Sequence, residues 1–354
     1  MSQPRLPAVL RTHGSSLLLG ITSAVLYATV SLAPAFLLPL QAAGAGRGYK
    51  AMTLASVTAA ACISVFQSLL FAGADMLSAG SLLIGLAAPL ALIAALLLIA
   101  SPRFSRVPFV LRSLGGGLFV ALIAFPAFVW ALSQPGVREM LDEAVAMAAS
   151  SLGLEAADSA ALFDGMKGVL SASFGAVLFL FLYASAWSGA RLGRRWRFIR
   201  AAKAAFASLP KDGQLPDPEL ASARTAEYSD LGSDEPALPP VLSEYRVPQA
   251  LVWLLLASWA MILASRYIPS PAVVSVAWNV ALSVSICYGV QGLAVAGALL
   301  GRIGMAPARR VLAALFIVLV LLGGTIGLVA AAVIAVLGTL ETWIPLRAVN
   351  TQGE

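Results

Sequence analysis

No aspartate or glutamate lies inside any long apolar run of this 354-residue chain; Glu341 stands at the edge of the last one. Proton- and sodium-coupled transporters generally hold carboxylates or other ion ligands at membrane depth. Their absence argues against a self-sufficient secondary transporter, although backbone carbonyls can also hold sodium. Histidine occurs once, at His13, and cysteine twice, at Cys62 and Cys287. A metal site needs clustered His, Cys or carboxylates, so neither a metal nor a cofactor is expected. Both cysteines fall in apolar runs and read as thiols packing as small hydrophobes, with a disulfide between them as the alternative. There is no Ser/His/Asp set, no zinc spacing and no GxxxxGK loop, so an enzyme is not expected. Charged residues make up 11% of the chain, where a soluble domain carries about a quarter.

What the chain has instead is hydrophobic length. Sixty per cent of its residues are apolar, and runs of 18 or more recur, the length a helix needs to cross about 30 Å of hydrocarbon. The alternating ten-residue segments of a β-barrel are missing. The expected fold is all-α, a polytopic transmembrane helical bundle of eight to nine hydrophobic segments. The net charge of +6 comes from Lys and Arg grouped in a few short loops. That is how a membrane protein sets its orientation, and it is not read as nucleic-acid binding.

Taken in order, residues 14–32 form the first span. Arg5 and Arg11 precede it and Ala33-Pro34-Ala35 follows, but the run begins late and is too long for a signal peptide, so it is read as retained. Pro34 and Pro39 break the next stretch, 33–46, into a loop plus a short second segment that cannot cross as a helix. Spans follow at 51–73, 78–100 and 108–133, where Arg112 can snorkel to the interface. Residues 134–167 carry six acids and two bases and are expected to lie outside, partly as an amphipathic helix. The span 168–190 closes a first membrane unit, 1–206. Arg191, Arg194, Arg195, Arg197, Arg200 and Lys203 then read as a membrane-surface helix on anionic lipid.

Residues 207–244 are rich in Pro, Ser, Asp and Glu and read as a flexible cytoplasmic linker. A C-terminal unit, 245–354, follows with segments at 249–266, 272–300 and 311–339. The positive-inside rule makes the protein a multi-pass inner-membrane one with its N-terminus and the stretch 191–248 cytoplasmic. Arg347 falls outside if 311–339 crosses once, whereas Gly323-Gly324 could fold that run into a shallow hairpin.

Polar groups inside the spans are few: Gln67, Asn279, Gln291 and several serines. Ser275, Asn279 and Ser283 follow i, i+4 spacing and form one stripe, which Cys287 roughly extends; Gln291 lies about 120° round the helix from Asn279. Such amides either bond neighbouring helices or line a ligand pocket. Gly20, Ala24 and Ala28 make a small-residue face suited to close approach of another helix.

One resemblance rests on Val247-Pro248, Trp278-Asn279, Tyr288-Gly289-Val290-Gln291-Gly292-Leu293-Ala294-Val295, the ending Leu337-Gly338-Thr339-Leu340-Glu341-Thr342-Trp343, and Arg347. In these the chain resembles the YybS-like family of uncharacterised bacterial membrane proteins, where the final acid is commonly Asp and more basic residues follow. That family is in turn grouped with the substrate-binding S-components of energy-coupling-factor vitamin transporters. The first six segments are similar to an S-component, with the second short and proline-flanked at Pro34, Pro39 and Gln41, and with Gly46-Arg47-Gly48-Tyr49-Lys50 opening the third helix. The resemblance implies a small-ligand-binding, transport-related subunit. It also implies docking of another membrane subunit through Ala24 and Ala28. The C-terminal unit departs from that pattern, because S-components end after six helices. Ligand candidates are Gln41, Ser275, Asn279, Ser283 and Gln291. The competing expectation is a scaffold or regulator of envelope processes that works through the linker. The lipid bilayer is the one partner expected on either reading, and no nucleic acid is expected.

Overall fold

A computed structural model describes residues 8–73, 79–136, 139, 142–144, 146–147, 156–207, 235–267, 270–305, 309–322 and 324–347. Most of the linker, 208–234, and much of the acidic stretch 134–167 lie outside the described residues, so the expectations placed on them lie there too. Every regular element among the described residues is helical. The protein is a polytopic helical membrane bundle. Four helical stretches are long and apolar enough to cross a membrane: 49–73, 109–133, 168–200 and 271–302. Shorter apolar helices run over 14–28, 85–100, 250–264 and 324–340.

The chain divides into two compact units, one of residues 1–140 with 181–239 and the other of residues 141–180 with 240–354. The boundary at 239/240 falls within the linker 207–244, and residues 141–180 group with the C-terminal part. The surface helix expected after residue 190 is not separate. One helix, α6, runs Ala156–Ala207, and its residues up to Leu180 belong to the second unit. No proline interrupts it, and the Arg- and Ala-rich stretch after residue 190 has high helix propensity, so nothing local ends the helix there.

In the first unit, α1 (Ala8–Ala28) leads through a 3₁₀ turn (Val30–Ala35) containing Pro34 into α2 (Leu38–Arg47), the expected short second segment. Pro39 stands in the first turn of α2, where its missing N–H costs no hydrogen bond. Gly48 ends α2 at φ 98, ψ 170, a region essentially restricted to glycine, and α3 (Tyr49–Gly73) starts at the next residue. Then come α4 (Ala79–Ala100) and α5 (Phe109–Ser133). Helix α3 packs on α1, α2 and α4, and α4 packs on α5. At Gly20, α1 and α3 come close: a Cβ there would fall 2.5 Å from the Ala55 carbonyl oxygen and 2.7 Å from Thr58 Cβ. The small-residue face therefore meets α3 of the same chain at Gly20, and Ala24 is buried as well.

The second unit holds α7 (Ala250–Ala264), α8 (Pro271–Arg302), α9 (Arg309–Leu322) and α10 (Gly324–Leu340). Helix α8 packs on α7 and α10, and α9 packs on α10. The run 311–339 does not cross as one helix. Gly324 has φ 51, and Gly327 comes up against Leu319 and Val320, so α10 folds back along α9. The hairpin alternative is the one the fold takes.

Candidate functional site

The polar stripe of α8 is engaged by main chain. Asn279 Nδ2 donates to the Ser171 oxygen at 3.1 Å and to the Ser275 oxygen at 2.8 Å, while the Ala176 N–H donates to Asn279 Oδ1 at 3.0 Å. Ser275 Oγ donates to the same Ser171 oxygen at 2.8 Å. An amide side chain thus inserts beside the hydrogen-bond ladder of α6, binding a carbonyl and an N–H five residues apart. These bonds explain why residues up to Leu180 group with the second unit. Ser283 lies half-buried two turns beyond Ser275.

Gln291, 3% exposed, joins different elements. The Val247 N–H donates to its Oε1 at 2.6 Å, and its Nε2 donates to the Gly338 oxygen at 2.9 Å. Tyr245 donates from its hydroxyl to the Cys287 oxygen at 3.3 Å. Both cysteines are free thiols. Beyond the end of α10, Arg347 and Glu341 form a two-pronged ion pair, Nε to Oε1 and Nη2 to Oε2, with side chains 8% and 6% exposed. Arg347 Nη1 also donates to the Ser243 oxygen at 2.9 Å, and Nη2 to the Tyr245 oxygen at 2.8 Å. Sequence reading noted both residues but not the pair. An acid at the edge of an apolar run with an arginine six positions later is the signal that could have found it.

Gln41 belongs to the first unit, whereas this network belongs to the second. It stands on α2, whose residues Pro39–Gly46 are all buried. Its side chain is 1% exposed, and Oε1 accepts no hydrogen bond. Gly189 of α6 makes room for it, since a Cβ at that glycine would fall 2.6 Å from Gln41 Cβ. By contrast, the amide of Gln67 is satisfied, with Nε2 donating to the Tyr27 hydroxyl at 2.7 Å; that hydroxyl donates to the Gly85 oxygen at 3.2 Å.

Arginines gather where α2 ends. Arg197 donates from Nη2 at 2.6 Å and Nε at 3.1 Å to the Ala45 oxygen, and Arg200 Nη2 donates to the Gly46 oxygen. These carbonyls end α2 and have no intrahelical partner, so cations there are favourable. Residues 235–239 of the expected linker are bound to the same unit. Arg112 donates to the oxygens of Ile99 and Ala237, Arg194 to Pro239 at 3.2 Å, the Ala237 N–H to Ala100 at 2.9 Å, and Arg197 pairs with Glu235 at 3.2 Å. Arg112 is therefore held by main chain, not extended into an interface.

A cavity of about 760 Å³ opens between α4 and α5, lined by Leu83, Leu86, Leu90, Ile123, Pro126 and Trp130 among others. Its lining residues all have apolar side chains, and no sequence-predicted site residue lies among them. No group of three metal-ligating side chains occurs among the described residues.

No curated protein and no solved structure matches the chain. A family model described as a predicted membrane protein (DUF2232) matches residues 230–340. Over that stretch, which contains Val247, Asn279, Gln291 and Gly338, the chain is similar to a family of membrane proteins, in keeping with its multi-pass helical fold.

Proposed function

We propose that this chain is a non-enzymatic, transport-related subunit of the bacterial inner membrane that binds a small polar ligand in its first unit, beside α2, in the manner of an S-component. The observation that carries the reading is Gln41: an amide oxygen buried to 1% exposure with no hydrogen-bond donor. Leaving such an acceptor unmet costs about 1–3 kcal/mol, and a ligand donor would remove that cost. The short buried α2 after a proline-containing turn supports the S-component comparison. The amides of Asn279 and Gln291, engaged by main chain, hold helices together in this reading. Among the described residues no nucleophile and base converge, which favours binding over catalysis.

The test is native mass spectrometry of the full chain released from several mild detergents. Wild-type protein should carry a small molecule that Gln41→Leu protein has lost. Finding none, or equal occupancy in the variant, overturns the reading.

The second reading, a membrane scaffold or regulator working through a cytoplasmic linker, is favoured by the bonds that hold residues 235–239 to Arg112, Arg194 and Arg197. Deleting residues 210–230 separates the two. Loss of cellular phenotype with ligand occupancy intact selects the scaffold.

A further inference from the structure

Around the end of α2 the positive charge exceeds what the fold neutralises. Arg191, Arg194, Arg195, Arg197 and Arg200 fall within ten residues of α6, and Arg47 ends α2 beside them. The two helices come close because Gly193 has no side chain; a Cβ there would fall 2.6 Å from both the Ala42 oxygen and Ala45 Cβ. That approach is why Arg197 and Arg200 reach the carbonyls of α2, and it leaves Arg47 next to Arg200. Burial first, and the Arg200 charge second, lower the Arg47 guanidinium below its ordinary range. Arg47 Nη1 is enclosed and has no hydrogen-bond partner, while the residue as a whole is only half-buried. Among the described residues, the carboxylate paired with this group is Glu235, on Arg197, and it is 57% exposed.

The setting selects the kind of anion. These arginines end the membrane-length stretch 168–200. At the same level α6 exposes Leu192, Phe198 and Ile199, with Phe198 74% exposed. Arg191 lies over the Trp187 ring at 5.8 Å. Exposed apolar side chains interleaved with guanidiniums suit the boundary between acyl chains and headgroups, where basic residues attract anionic lipid. A soluble phosphate would have no use for Phe198.

We propose that Arg47, Arg194 and Arg200 form a binding site for the phosphate of an anionic phospholipid headgroup, with Phe198 and Ile199 in the adjoining acyl boundary. Glu235 is the internal competitor of that phosphate. When lipid binds, Arg197 keeps its bonds to α2 and exchanges the carboxylate for the headgroup's field. The site is independent of ligand binding at Gln41.

The experiment uses delipidated full-length protein, offered phosphatidylglycerol and phosphatidylcholine of matched acyl chains, and counts retained lipid by native mass spectrometry. Wild-type protein should prefer phosphatidylglycerol. Arg47→Gln/Arg194→Gln should lower that preference by about five-fold per arginine, the order set by one basic residue near an anionic surface. Glu235→Gln should raise it. An unchanged preference in the double variant, with a wild-type unfolding midpoint, overturns the site. If the double variant fails to fold, Glu235→Gln decides, and no rise there also overturns it. Inorganic phosphate at millimolar concentration should leave the bound lipid in place. Its displacement of the lipid would show that the site takes a soluble phosphate and would overturn the lipid assignment.

Discussion

The guanidinium of Arg347 donates to the backbone oxygen of Tyr245, 102 positions earlier, at 2.8 Å. The bond puts the chain beyond α10 at the same end of the second unit as the segment preceding α7. It follows from the hairpin of α9 and α10. A single crossing over 311–339 would have carried Arg347 to the opposite face.

Removing one member of the Glu341–Arg347 pair should be costly. With side chains 6% and 8% exposed, Arg347→Ala or Glu341→Ala leaves a buried charge without its partner, and a loss of about 3–5 kcal/mol is expected. The double variant Glu341→Leu/Arg347→Met should lose much less, because no uncompensated charge remains. Thermal unfolding of the full chain in detergent measures both.

The hairpin predicts sidedness. Val241→Cys and Ile344→Cys, both at exposed positions, should react with a membrane-impermeant maleimide from the same side of sealed vesicles, in a background carrying Cys62→Ser and Cys287→Ser. Labelling from opposite sides would show that the run over 311–339 crosses.

The two amides of α8 should act separately. Asn279→Leu and Gln291→Leu should each destabilise by roughly 0.6–2 kcal/mol, the scale of interhelical hydrogen bonds in membranes. Their partners are disjoint: Ser171, Ala176 and Ser275 for one, Val247 and Gly338 for the other. The double variant should therefore show the sum to within about 0.5 kcal/mol. Occupancy of any co-purifying small molecule should be unaffected in both single variants.

Gly48→Ala should destabilise by about 1–3 kcal/mol, because φ 98, ψ 170 is strained for any residue with a Cβ. Gly20→Val should cost at least as much, since its side chain would collide with the backbone of Ala55. Unfolding midpoints of the two variants, against Gly115→Ala at a position where a Cβ meets nothing within 4 Å, separate these effects from loss of glycine alone.

Much of the bundle was legible along the chain. Runs of apolar residues announced the helices, Pro34 and Pro39 announced the short α2, and the amides marked where helices must meet protein. The candidate site was legible only in part. Gln41 stood out beside two prolines, but that its oxygen lacks a donor depends on α2 being enclosed. Asn279 and Gln291 stood out as costly, yet nothing near them in sequence says that one reaches Ser171 and the other joins Val247 to Gly338. The Glu341–Arg347 pair is only hinted at by its spacing, and the other acceptors of Arg347, the oxygens of Ser243 and Tyr245, lie about a hundred residues away in sequence.

By itself the sequence determined the membrane class, the helical segments and the small number of intramembrane polar groups, because hydropathy, proline and charge act through neighbours in the chain. Only the tertiary structure decided which helix fills the Gly20 face, where α6 changes allegiance between units, that 311–339 turns back at Gly324, and which amide is left without a partner. Those outcomes depend on contacts between residues tens to a hundred positions apart, and a hydrogen-bond donor or a steric gap at that range leaves no periodic trace in the sequence.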